Sequence, residues 1–244
     1  MPERVGFDRK ICRAWLDLTA EVVCGTVDPA AVNVALNQAL STKIRGSDAR
    51  RKNINLLTRI WLRVPEAHRP LRDEALTFWP DLTGEERLWL HWGLSLLAYP
   101  FFRDVAATVG RLLYLQETFT AGQVHREIVA SWGERTTLQY AVRRAISSLA
   151  EWGVLKAGKD GRGPYTAVPP LTPPNPELPL WLLEAALRAR RVDAMPLYNL
   201  QRLPELFPFD LDVGVSTIHR SRRFLIVWEG GDTEMVVLRE QKRR

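Results

Sequence analysis

Apolar residues recur at steps of three and four through most of the first 150 positions, the spacing of helices with one inward face. Ile11, Trp15, Leu18 and Val22 predict a helix over 8–24, with Gly25 as its C-terminal cap. Asp28-Pro29 reads as an N-cap followed by a first-turn proline, opening a second helix over 29–40. Ile54, Leu57, Ile60 and Trp61 form the inward face of a third, capped by Ser47-Asp48 and ended by Pro65. A short helix over 70–79 follows. Residues 85–99 are apolar almost all round, which predicts a helix inside the molecule; Pro100 ends or kinks it. Residues 103–116 form another amphipathic stretch, completing a bundle of about six helices.

The pattern changes at Thr118. Thr120 caps a helix over 121–131, and Gly133 breaks it. Thr136 caps a helix that reaches Trp152 and is stopped by Gly153. Two short strands, 154–157 and 165–168, flank a charged, Gly-rich turn. Six prolines over 169–179 then predict a semi-rigid extended linker. Beyond it come a helix over 180–191, a mixed stretch, and strands over 213–219, 224–229 and 234–239, with a tight turn at Gly230-Gly231-Asp232. The expected fold is mainly α: a helical bundle (1–102), a winged helix-turn-helix (103–168), the linker, and a small α+β region (180–244).

Composition narrows the class. Of 244 residues, 46% are hydrophobic and 25% charged, which excludes a disordered, collagen-like or coiled-coil chain. The N-terminus lacks an apolar signal-peptide core, and the apolar run 88–102 is shorter than the roughly 20 residues a membrane span needs. Cys12 and Cys24, placed in one helix, cannot bridge. Reduced thiols, no membrane and a cytoplasmic setting are the expectation.

Charge sharpens it further. The net charge is +6. Residues 41–64 hold Lys43, Arg45, Arg50, Arg51, Lys52, Arg59 and Arg63 against Asp48 alone, so this one segment equals the whole excess. Concentrated cations suit a polyanion better than scattered ones, because counterion release depends on phosphates contacted together. Most of the basic residues are Arg, which suits phosphate and base-edge contacts but also follows from a G+C-rich genome.

The helix after Thr136 carries the second signal. Leu138, Val142, Ala145 and Leu149 face inward, so Gln139, Tyr140, Arg143, Arg144 and Ser147 face out, as donors suited to bases and phosphates. Thr136 and Thr137 stand at the helix N-terminus, where unpaired N–H groups favour phosphate. Lys156, Lys159 and Arg162 in the hairpin could reach the DNA backbone. The predicted DNA-binding set is these ten residues together with Lys43, Arg45, Arg50, Arg51 and Lys52.

Asn33-Val34-Ala35-Leu36-Asn37-Gln38-Ala39-Leu40-Ser41, Asp48-Ala49-Arg50-Arg51-Lys52, Glu85-Glu86-Arg87-Leu88-Trp89-Leu90 and Phe101-Phe102-Arg103-Asp104-Val105-Ala106, in that order, resemble the BrxA family of bacterial BREX phage-defence systems. The resemblance covers residues 10–170. It implies a mainly helical, cytoplasmic DNA-binding protein with a winged-helix portion, acting beside a methyltransferase and other defence proteins.

Catalytic patterns are weaker. His68, His91, His125 and His219 lack metal-ligand spacing, and there is neither a GxxxxGK[ST] loop nor a Gly-x-Ser-x-Gly elbow. The expectation is non-catalytic binding of double-stranded DNA, with no cofactor and no metal. One alternative is an adaptor docking a larger defence enzyme through Trp181, Phe207 and Phe209. Another is a metal-dependent nuclease using Glu229, Asp232 and Glu234.

Overall fold

The structure, a computed structural model, describes residues 5–159, 163–230 and 233–239. It is mainly helical, with two small antiparallel sheets. The first six helices are α1 (Arg13–Gly25), α2 (Pro29–Leu40), α3 (Ser47–Trp61), α4 (Arg69–Phe78), α5 (Leu88–Ala98) and α6 (Pro100–Leu115). Asp28 caps α2 by accepting from the Ala31 N–H at 2.8 Å. Pro100 occupies the first turn of α6, so it starts a helix while ending the one before.

Every residue of α5 is buried. Of its two indoles, Trp92 donates to the Glu205 carbonyl at 2.9 Å, while the buried Trp89 N–H has no partner among the described residues. Trp61 on α3 donates to His91 Nδ1 at 3.1 Å, and His91 Nε2 meets Asp17 on α1 at 2.9 Å. His91 is thus a satisfied core histidine tying three helices together.

Next come α7 (Ala121–Trp132), α8 (Thr136–Glu151), β1 (Leu155–Ala157) and β2 (Tyr165–Ala167). Thr120 and Gln123 form a reciprocal capping box on α7. Gly133 and Gly153 take φ of +74° and +86°, the left-handed backbone that stops α7 and α8. β1 and β2 pair from Leu155↔Ala167 to Ala157↔Tyr165. Tyr165 also bridges Phe119, exchanging both backbone hydrogen bonds at 3.0 and 2.7 Å.

The C-terminal part comprises α9 (Glu177–Arg190), β3 (Ala194–Pro196), α10 (Leu197–Gln201), α11 (Val215–Arg220), β4 (Phe224–Glu229) and β5 (Thr233–Leu238), with strand order β3-β5-β4. Four expectations change here. The stretch 213–219, expected as a strand, forms α11: burial of Ile218 beside β4 selects a helical turn over the β-branched preference of its sequence. β3 emerges from the stretch read as mixed. The proline run is no free linker, because Leu171 donates to the Pro208 carbonyl at 2.7 Å and accepts from Asp210 at 2.9 Å, and Pro179 lies within α9. Finally, α9 packs along α5, and one apolar core runs continuously from Phe7 to Val236.

The N-terminal boundary shifts as well. Residues 7–12 are not helical; Cys12 precedes α1, and Cys12 and Cys24 are both free thiols. Phe7 is fully buried against Phe102, Tyr99 and Trp152, with ring centroids 5.0, 5.5 and 6.4 Å away. Ile11 accepts from Trp152 Nε1 at 2.9 Å and donates to Ser148 Oγ at 2.9 Å. The segment is therefore strapped across α8.

Candidate nucleic-acid interface

α8 presents the two faces its sequence predicts. Leu138, Val142, Ala145 and Leu149 are buried, while Thr136, Thr137, Gln139, Tyr140, Arg143 and Arg144 are exposed and Ser147 is half-buried. The cap differs: Arg135 is the N-cap, and Thr136 is the first helical residue. The Leu138 N–H donates to the Arg135 carbonyl at 2.9 Å, while the N–H groups of Thr136 and Thr137 have no partner among the described residues.

Between α8 and α3 runs an open groove of about 690 Å³. One wall is Lys52, Asn55, Leu56 and Arg59 of α3 with Arg63 just beyond its end, where one Arg63 nitrogen donates to the Asn55 carbonyl at 2.7 Å and to Thr58 Oγ1 at 2.8 Å. The other is Thr137 and Ala141 of α8, and the strapped segment Val5–Arg9 closes one side. Tyr99 lies at its base, its hydroxyl donating to the Leu56 carbonyl at 3.1 Å; burial pushes that hydroxyl's pKa up, so it stays protonated. The Arg59 guanidinium lies 5.0 Å from the Tyr99 ring centre. Arg144, one turn beyond Ala141, donates to the Asp8 carbonyl at 3.2 Å and so borders the same groove.

The structure thus joins the two basic regions, though through partly different residues than expected. Lys52 and Thr137 line the groove. Arg50 is a fastener between α2 and α3, donating to Asn37 Oδ1 at 2.6 Å and the Ile44 carbonyl at 2.8 Å. Arg51 and Lys52 each pair with Asp48 at 2.6 Å, and these hydrogen bonds hold its carboxyl below the usual range. Such exposed pairs are readily exchanged for a phosphate. Lys43 and Arg45 are exposed before α3 and do not line the groove. Gln139, Tyr140, Arg143 and Ser147 point to the neighbouring side of α8; Tyr140 is 59% exposed. Lys156 and Lys159 are exposed on the hairpin, and Arg162 lies outside the described residues.

Arg9, Arg59 and Arg63 were not among the predicted contacts. Lys52, Asn55, Leu56, Arg59 and Arg63 follow helical steps of three and four, a legible stripe. Arg9 carries no local signal, because only the strap brings it there.

The alternative sites are altered. Trp181 and Phe209 are buried and Phe207 is half-buried, so none forms the surface an adaptor was expected to use. In the β4–β5 register Glu234 opposes Trp228 while Glu229 opposes Thr233, which sends the two carboxylates to opposite faces; Asp232 lies outside the described residues. No cluster of three or more metal-ligating side chains occurs among the described residues, and no described helix is long and apolar enough to cross a membrane.

Comparison with protein-family models, with curated proteins and with solved structures returned no match.

Proposed function

We propose that the protein binds double-stranded DNA without catalysing a reaction on it, as part of a phage-defence assembly of the BREX kind. The groove carries this reading: Arg9, Lys52, Arg59 and Arg63 converge from two separate parts of the chain beside the α8 N-terminus, with Asp8 in the same groove and Asp48 paired to Lys52. Four cations spaced along a groove match a phosphate backbone, while helix N–H groups supply a further anion contact.

The order of elements supports a winged helix. α6, the Phe119 bridge, α7, α8 and the β1–β2 hairpin follow one another as helix, short strand, helix, recognition helix and wing. In this reading α8 lies against the duplex, the groove follows one phosphate strand, and Lys156 on the wing reaches the other side. The BrxA resemblance supplies the defence setting and other defence proteins as partners.

The test is an electrophoretic shift with a labelled duplex at low salt. Unlabelled duplex competes, and the logarithm of affinity falls against that of salt with a slope of about −3 to −4, as about four phosphate contacts require. Absence of competition at low salt overturns the proposal.

A further inference from the structure

A second recess, of about 600 Å³, lies where α11 turns into β4, between α4 and α9 and far in sequence from the groove. Arg220, Arg222, Arg223 and Arg239 line it, together with Glu74, Glu177 and Glu184. These charges fall into two groups. Arg223 is committed to the fold: Nη1 donates to Glu184 Oε2 at 2.8 Å and Nη2 to Glu74 Oε1. Glu184, buried on α9, also accepts from Arg188 at 2.8 Å. Arg223 and Arg188 thereby balance the carboxylates of buried Glu184 and half-buried Glu74.

What remains facing the opening is Arg220, Arg222 and Arg239 against Glu177, a surplus of two positive charges. Two of these guanidiniums are held in place. Arg220 donates through Nε to the Ser216 carbonyl at 3.1 Å, and Arg239 through Nε to the Phe224 carbonyl at 2.8 Å. Their terminal nitrogens, and the whole Arg222 side chain, have no protein hydrogen bond among the described residues. Fixed guanidiniums with free donor edges suit the oxygens of a phosphate.

We propose that this recess binds a phosphate monoester on a hydroxyl-bearing molecule of sugar-phosphate to mononucleotide size. A phosphomonoester carries about −1.5 to −2 charges at neutral pH, which the surplus balances. Glu177 can only accept hydrogen bonds, so it pairs with ligand hydroxyls rather than with the phosphate. The recess is far larger than a bare phosphate needs and falls within the roughly 300–1,000 Å³ of small-ligand sites. The chemistry is shared by a free nucleotide and by the 5′-phosphate of a DNA end.

Titration calorimetry at matched ionic strength tests the site on the full chain, with adenosine 5′-monophosphate, ribose 5-phosphate and adenosine as probes. The two phosphates bind and adenosine does not. The double variant Arg220→Gln, Arg222→Ala loses roughly tenfold or more in affinity. Its far-ultraviolet circular dichroism and its duplex shift stay as in the parent, separating this site from the groove. Competition by a 5′-phosphorylated oligonucleotide but not its 5′-hydroxyl counterpart identifies a DNA end as the source, and competition by neither identifies a free nucleotide. No binding of either phosphate at about 10 mM, or equal binding to parent and double variant, overturns the proposal.

Discussion

Gly93 on α5 lies directly under the indole of Trp181 on α9: a Cβ added there would sit 2.4 Å from the ring. The contact joins the N-terminal helices to the chain beyond the proline run. Both neighbours are closed in, since α5 is wholly buried and Trp181 donates Nε1–H to the Leu71 carbonyl at 3.1 Å. Gly93→Ala should therefore destabilise by about 1–3 kcal/mol through overpacking, read as a lower urea midpoint with unchanged slope. Gly110→Ala should cost more, because its Cβ would meet the Pro204 carbonyl oxygen at 1.9 Å and backbone cannot rotate away. Gly25→Ala meets nothing within 4 Å and should be neutral or slightly stabilising.

His91 makes stability depend on pH. Burial pushes its pKa below the ordinary value near 6.5, outweighing the Asp17 carboxylate that pulls it up. Below about pH 6.5 the unfolded chain takes a proton that the folded chain refuses, so this contribution is present above 6.5 and is lost as pH falls toward the depressed value. Thermal midpoints measured from pH 7.5 down to 5 should fall. His91→Leu should flatten that part of the profile and lower stability by about 1–3 kcal/mol at neutral pH, because the Trp61 N–H loses its acceptor.

Glu205 is fully buried, and its two oxygens accept from Arg190 at 2.5 and 2.7 Å. Arg190→Ala leaves that carboxylate inside without its cation and should cost about 3–5 kcal/mol. Replacing both, Arg190→Met with Glu205→Gln, should recover much of the loss. Chemical denaturation of the three variants measures the difference.

Binding and folding should separate at Thr137. Thr137→Glu adds an acid to the first turn of α8, where the helix dipole favours it, so the thermal midpoint should hold or rise. With the duplex in the groove as proposed, the same charge would face its phosphates, so duplex affinity at low salt should fall roughly tenfold. Arg144→Ala should weaken binding more than Arg143→Ala, because Arg144 borders the groove and Arg143 does not line it. The reverse order in a shift assay would place the duplex on the outer side of α8.

Much of the secondary structure was legible in the chain itself, for a local reason. Helical periodicity, the Asp28 cap, the Thr120–Gln123 box and the glycines at 133 and 153 act within a turn or two of their own position. The two faces of α8 follow from the same periodicity. What faces what does not. Trp181 reads as a surface anchor until α9 packs on α5, and 213–219 reads as a strand until Ile218 is buried. The charge excess was visible in residues 41–64, yet Arg50 is used up as a fastener, while Arg9, with no signal of its own, is delivered to the groove by the burial of Phe7. Local pattern sets which side of an element is wet or dry; only the closure of a shared core decides which wet sides meet, and the groove between α3 and α8 exists only at that level.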